Sequence, residues 1–263
     1  MVEIKKISEE EFKDIASKVK ANSLMLAKDY YLTVILYLIK DVEGLYFKGG
    51  TALQKTLLNY SRLSEDIDFT LTKDINPIKK QITQILENSG FFEKITQDKS
   101  VDDFTRLEAH YTGFFGEKDK VFIDLNKRAK LLKKPEKQEI NHYYKDFIPK
   151  FSINTLSKQE LIAEKITAAI CRNKPRDHFD VFEIIQNKHP INLKLVKKKC
   201  ELQGKQFSIP KMFKNANKLK NRWDKDLTPL LNKEASFEQV MKTLAKHFKL
   251  KEAKKKAKKP SNN

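Results

Sequence analysis

Glycine is scarce in this 263-residue chain, which has only seven, and cysteine is scarcer, with two. Cys171 and Cys200 alone build neither a disulfide framework nor a cysteine-based zinc cluster. A long hydrophobic run is also missing. The most apolar stretch, residues 30–39, falls far short of the roughly 20 residues needed to span a bilayer. The opening residues MVEIKKISEEEF are charged and lack an apolar h-region, so no secretory signal is expected. Acidic excess is absent too: 53 Lys+Arg stand against 35 Asp+Glu, a formal charge of +18. These absences point to a reduced, cytoplasmic protein with no membrane partner. With 40% hydrophobic residues in regular patterns, the chain can bury a substantial core and is not a disordered basic polymer.

The positive charge is gathered rather than spread. Residues 191–263 hold 21 Lys+Arg and 6 Asp+Glu, a net of +15, which leaves +3 for residues 1–190. Such asymmetry suits contact with a polyanion, nucleic acid being the commonest, although a solvated basic face has the same composition. The stretch from Lys249 to Lys259 carries seven lysines and one glutamate and is not expected to order by itself.

Apolar spacing divides the chain into two kinds of structure. Ile7, Phe12, Ile15 and Val19 recur at helical intervals, and the apolar segment 30–39 continues the helical reading. A short strand is expected at 45–47, a helix at 51–60, and an alternating, half-buried strand at 65–72. Ile78, Ile82, Ile85 and Leu86 mark a helix that stops near Ser89-Gly90. Residues 104–115 and 121–125 read as a hairpin turning at about 116–120. Ser157 and Glu160 fit a capping box that opens a helix through Cys171. Further helices are expected near 176–187, 191–202, 210–222 and 236–249. The fold class is therefore α+β, with a mixed α/β front half and an all-helical back half meeting near residue 150.

Two local patterns carry chemistry. Three of the seven glycines fall between positions 44 and 50, and Gly49-Gly50-Thr51 follows a strand and opens a helix. There the backbone can approach a phosphate closely, and a helix N-terminus offers free N–H groups; a plain turn is the competing reading. The segment Ser64-Glu65-Asp66-Ile67-Asp68-Phe69 places Asp66 and Asp68 on one face of a strand. Paired carboxylates repel unless a cation neutralises them, and Mg²⁺ takes one or two carboxylates plus phosphate oxygens; two exposed edge acids are the alternative. Asp124, between apolar Phe122 and Leu125, is a candidate third acid for a two-metal site or a general base, or else a partner of Lys127 or Arg128.

The runs Phe47-Lys48-Gly49-Gly50-Thr51-Ala52-Leu53 and Arg62-Leu63-Ser64-Glu65-Asp66-Ile67-Asp68-Phe69 resemble those of the AbiEii/AbiGii-type toxin nucleotidyltransferases of the DNA polymerase β-type superfamily. Downstream, Glu164-Lys165-Ile166-Thr167-Ala168 and Arg176-Asp177-His178-Phe179-Asp180-Val181 look like that family's helical motif. The resemblance implies a nucleotidyltransferase α/β domain over 1–150 with a mixed sheet and flanking helices and a helical bundle over 151–250; composition adds a basic disordered tail at 251–263. An active cleft between the two lobes is part of the same implication. It implies Asp66 and Asp68 as ligands of Mg²⁺ (or Mn²⁺) and Gly49, Gly50, Thr51 and Ser64 as nucleotide-binding residues. It further implies Lys165 as a phosphate contact, Asp180, with Asp177 beside it, as the second-motif acid, and Asp124 as a third catalytic acid, a position at which members of the family vary. For Asp180 a salt bridge to Arg176, four residues earlier, is the structural alternative.

The implied activity is transfer of an NMP from an NTP to an acceptor. The basic back half favours tRNA or another RNA, and the family adds toxin action restrained by a cognate antitoxin. The competing reading is a catalytically silent nucleotide- or RNA-binding protein of the same fold. His178 has no second histidine or cysteine at ligand spacing and reads as a helix-surface residue. Cys171 and Trp223 read as packing residues.

Overall fold

Helical periodicity at the start of the chain gives α1 (Glu9–Val19) and α2 (Ser23–Leu38). Ser8 caps α1 through a complete capping box with Glu11. The computed structural model describes residues 4–128, 130–231 and 233–250, so the expected basic tail at 251–263 lies outside the described residues. The chain divides into two compact units, Met1–Lys158 and Gln159–Asn263.

The first unit is built on a mixed seven-stranded sheet. Its strands are β1 (Leu45–Lys48), β2 (Asp66–Leu71), β3 (Lys94–Val101), β4 (Phe104–Thr112), β5 (Lys118–Asn126), β6 (Glu136–Glu139) and β7 (Ser152–Thr155). Their spatial order is β3-β4-β5-β2-β1-β7-β6. The β2–β5 and β1–β7 pairs are parallel and the others antiparallel. Alternation sorts the strands into two faces. Ile67, Phe69, Leu107, Ala109, Ile123 and Leu125 are buried on one of them. The α2 helix lies on that face, with Tyr31 stacked on Tyr111 at 3.9 Å, as does α4 (Ile75–Glu87), whose Lys79 reaches Gln97. The other face carries Asp66, Asp68, Arg106, Phe122 and Asp124, all half-buried.

The β4–β5 turn falls at residues 113–117, not at 116–120 as the apolar pattern led us to expect. Gly113 N–H bonds the Glu117 carbonyl at 2.8 Å, Gly116 supplies a φ of +79°, and β5 begins at Lys118. The helix expected over 51–60 is α3 (Gly49–Thr56), which opens on the glycine pair and stops where Asn59 and Tyr60 take left-handed backbone.

Beneath α3 lies a buried polar network. Lys55 Nζ pairs with Asp29 at 2.9 Å, bonds Thr33 Oγ1 at 2.9 Å, and donates to the Tyr60 hydroxyl. Tyr60 and Tyr144 each donate to Asp29, at 3.1 and 3.2 Å. Burial, with Lys55 adding to it, pushes the nearby His142 from 6.5 down to about 4. Because the folded protein resists protonation that the unfolded chain accepts, stability is full above pH 6.5 and falls as pH drops toward 4. The expected loss is about 3 kcal/mol. Urea midpoints at pH 7 and 4.5 measure it, and His142→Gln should flatten the difference; an identical pH slope in both proteins would refute this.

The second unit is helical: α5 (Lys158–Cys171), α6 (Pro175–Gln186), α7 (Leu193–Leu202), α8 (Ala216–Asp226) and α9 (Phe237–His247). The helix expected at 210–222 divides into a 3₁₀ turn at Ile209–Phe213, with a proline in its first turn, and α8 after Asn215. Trp223 packs edge-on against Phe237 and donates to the Ala235 carbonyl. Glu160 and Glu164 on α5 both reach Lys199 on α7, at 2.5 and 2.8 Å. His178 is fully buried rather than on a helix surface, its ring nitrogens 2.8 Å from the Met212 carbonyl and 3.1 Å from that of Lys174.

Among the described residues, no helix is long and apolar enough to cross a membrane.

Candidate active site

The glycine turn and the acid pair meet in space. Gly49 adopts a φ of +79°, and a Cβ added there would lie 2.1 Å from Asp68 Oδ2 and 2.9 Å from its Cγ. The carboxylate of Asp68 is thus seated in space that only glycine leaves open. Thr51 is buried and donates its hydroxyl to the main-chain carbonyl of Asp66, tying the first turn of α3 to the start of β2. Gly50 is the second residue of α3, whose N-terminal N–H groups follow directly on the turn.

Strand register gathers the remaining groups. In the parallel β2–β5 pair, Asp66 lies beside Phe122 and Asp68 beside Asp124. The antiparallel β1 puts Lys48 opposite Asp68. Ser64, just before β2, is buried and receives a hydrogen bond from Arg62 Nη1 at 3.2 Å; the same nitrogen donates to the Leu63 carbonyl at 2.8 Å.

An arginine fork closes on both oxygens of Asp124. Arg106 Nε and Nη2 bond its Oδ1 and Oδ2 at 2.6 and 2.8 Å. Those hydrogen bonds hold the guanidinium above its ordinary pKa; burial opposes them, and the charges of Asp124, Asp98 and Asp66 assist. The partners expected from sequence lie elsewhere: Lys127 pairs with Asp74, and Arg128 donates to the Asp102 carbonyl. Sequence patterning does not find Arg106, because a turn at 116–120 pairs Asp124 with a different residue of the preceding strand. With the turn at 113–117, counting back from Thr112↔Lys118 gives Arg106↔Asp124.

Asp66 and Asp68 fit a hard dication that is completed by phosphate oxygens and water. They are acceptor-only oxygens on one strand face, and Asp68 is braced against Gly49. Among the described residues, no group of three or more His, Cys, Asp or Glu is assembled around a metal position.

The second-motif residues form their own cluster in the helical unit. Lys165 on α5 reaches Asp177 at 3.1 Å and Asp180 at 2.9 Å, both on α6. The lysine is 5% exposed and both acids 0%. Arg172 forks Asp177 at 2.7 and 2.8 Å. Burial raises the Asp177 carboxyl, but Lys165 and Arg172 outweigh it and hold the group well below the usual range. Each of the two buried acids thus faces a cation, as buried charge requires. The two acids that sequence could not separate thus both face the same ammonium.

Comparison with known proteins places this geometry. Residues 33–246 match the family described as the nucleotidyl transferase AbiEii toxin of a Type IV TA system. The fold is similar to that of JHP933 from Helicobacter pylori, at 22% identity and a TM-score of 0.60, covering 90% of this chain and 96% of that one. It is also similar to MenT4, a nucleotidyltransferase toxin from Mycobacterium tuberculosis H37Rv, at 18% identity and a TM-score of 0.65, covering 89% and 88%. A search of curated proteins returned no match. Because the family match spans well over half of the chain and includes both acid motifs, the protein belongs to the AbiEii family of toxin nucleotidyltransferases and is itself a nucleotidyltransferase.

Proposed function

We propose that this enzyme transfers an NMP from an NTP to an RNA acceptor, tRNA foremost, and that a cognate antitoxin restrains it. The observation that carries this reading is the Asp66–Asp68 pair on the sheet face, with Asp68 seated against Gly49 at the start of α3. In the reaction an acceptor hydroxyl oxygen bonds to the α-phosphorus. The α–β phosphoanhydride bond breaks, pyrophosphate leaves, and the hydroxyl proton passes to solvent.

Asp66 and Asp68 would hold Mg²⁺ or Mn²⁺, which supplies charge neutralisation for the triphosphate and the departing pyrophosphate. The N–H groups that open α3 at Gly49 and Gly50 are placed to orient phosphate oxygens. Thr51 and Ser64 act by position: the first fixes the strand carrying Asp66, and the second is fixed by Arg62 just before that strand. Lys165, which the family resemblance assigns to the phosphates, has three donors, and Asp177 and Asp180 take two of them. Those acids hold the ammonium in one orientation.

The RNA assignment rests on charge. Residues 191–263 carry the net +15, and Lys194, Lys198, Lys214, Lys218 and Lys225 stand exposed on the helical unit. Such a surface recognises a backbone rather than a base sequence. Incubating the protein with each α-labelled NTP, Mg²⁺ and total tRNA should label RNA, and EDTA should abolish labelling. Label on protein or small molecules alone would refute the RNA acceptor, and no label with any NTP would refute the reading as a whole.

A further inference from the structure

A cavity of about 280 Å³ lies in the first unit, where the segment before α1, the helix α2, the approach to β3 and the β4–β5 turn converge. Tyr30 and Tyr31 on α2, with Phe92 and Phe114, give it aromatic walls. Tyr31 stacks on Tyr111, which alternates onto the same strand face as Leu107 and Ala109, so the cavity is on the α2 side of the sheet and apart from Asp66 and Asp68. The polar side chains around it are bonded, with one exception. Lys6 Nζ donates to the Gly90 carbonyl at 2.8 Å and stands 5.5 Å from the Phe91 ring centroid. The Tyr31 hydroxyl donates to the Thr112 carbonyl at 2.8 Å, and Thr112 donates its own hydroxyl to Glu93. The exception is Tyr30, 2% exposed, whose hydroxyl has no hydrogen-bond partner among the described residues. The main-chain N–H of Ile7, another wall residue, acts on its oxygen only from the donor side, and burial keeps the phenol protonated. Its ring is held by Tyr144, Tyr31 and Phe114, with centroids 5.1, 5.2 and 5.4 Å away. What lacks a partner is therefore a proton donor in an aromatic wall, and a buried donor without an acceptor costs stability until something supplies one.

We propose that this cavity is a binding site for a small uncharged aromatic molecule carrying a hydrogen-bond acceptor, such as an aryl ketone or amide. The ligand ring packs against Tyr31, Phe92 and Phe114 in the offset or edge-on contacts that aromatic pairs favour, and its carbonyl oxygen accepts the Tyr30 proton. The volume is near the lower end of the roughly 300–1,000 Å³ of small-molecule sites, which suits one or two rings. It is also far more than the space of about 30 Å³ that one water takes. A charged ligand is disfavoured, because the walls beside Tyr30 are apolar and Lys6 and Glu93 are opposite in sign and already engaged. None of the wall residues belongs to the glycine turn or the acid pair, so the ligand is distinct from the nucleotide substrate.

Titrating the isotope-labelled full chain with acetophenone, and with ethylbenzene, which has the same ring but no acceptor, tests the proposal through amide chemical shifts. Both compounds should saturate a single site and shift amides at 6–7, 90–93 and 112–114. Acetophenone should bind wild type about 5–10-fold more tightly than ethylbenzene does. Tyr30→Phe should remove that preference without weakening ethylbenzene. Because this variant deletes a hydroxyl that has no partner, its Tm should equal or exceed that of wild type. Ile7→Trp, which projects bulk into the cavity, should abolish binding of both compounds; if that chain fails to fold, the Tyr30→Phe comparison decides the matter alone. No saturable shift with either compound, shifts centred elsewhere, or an acetophenone preference that survives in Tyr30→Phe would overturn the proposal. A clear fall in Tm for Tyr30→Phe would overturn it too, since the proton would then already have an acceptor within the protein.

Discussion

Replacing Gly49 with alanine is expected to lower nucleotidyl transfer by about 100-fold in a protein that still folds. Two costs arise at that position and they can be separated. The first is conformational: φ is +79°, where an L-residue with a Cβ loses about 1–2 kcal/mol. The second is steric: the new methyl would stand 2.1 Å from Asp68 Oδ2 and 3.0 Å from Asp68 Cβ. A side-chain rotation alone does not relieve both contacts. The carboxylate must move by about 1 Å or more, enough to spoil a charge placed for phosphoryl chemistry. Gly116 isolates the first cost, for it shares a φ of +79° but has nothing within 4 Å of a Cβ. Gly116→Ala should therefore lose similar stability and keep transfer activity within about 2-fold. Asp68→Asn sets the scale from the other direction. It keeps the shape, removes the charge, and should lower kcat by on the order of 1,000-fold. If Gly49→Ala and Gly116→Ala retain equal activity, the seat beneath Asp68 has no catalytic meaning.

That seat was legible in sequence only in part. Two glycines at a strand–helix junction and acids at i and i+2 are local patterns, so both could be found without knowing what packs on what. Their contact could not, since Asp68 reaches Gly49 through the antiparallel β1–β2 pairing, where Lys48 lies opposite Asp68. Register decided most of what was missed. Arg106 is 18 residues from Asp124 and nothing local marks it, yet a correctly placed turn would have paired them. Gly113 and Gly116 together bracket that turn, and reading Gly116 as its start moved the partner by several residues. Strands β6 and β7 were invisible for a different reason. Each is four residues long, and Glu136–Glu139 reads as polar loop because a partner strand, not its own side chains, makes it a strand. In the helical unit, apolar periodicity gave the helices but not their charged interior. Lys165 has no acid at i+4 or i−4, and its partners come from the next helix. Buried charges such as Glu160 and Lys199 violate the pattern on which a sequence reading depends.

Lys55→Met should destabilise the first unit by about 3–5 kcal/mol, a fall in Tm of roughly 6–20 °C. The lysine and Asp29 are each 1% exposed, so neither charge is screened by water. All three ammonium donors are matched, by Asp29, Thr33 and Tyr60, and Asp29 also receives Tyr60 and Tyr144. Methionine fills the lysine stem almost isosterically, so little packing is lost. What remains is an aspartate charge sealed in the core with two neutral hydroxyl donors for company. Adding Asp29→Asn should recover much of the loss, because the amide oxygen still accepts from Tyr60 and Tyr144 while the stranded charge is gone. The double variant is expected to cost only about 1–2 kcal/mol relative to wild type. Urea unfolding of the three proteins measures this coupling, and hydrogen exchange in α3 localises it, since Lys55 belongs to the helix that opens at Gly49. If the single and double variants were equally unstable, the cost would lie in the lost hydrogen bonds of the lysine rather than in the uncompensated charge. The network would then be a set of ordinary contacts and not an ion pair that the fold must satisfy as a unit.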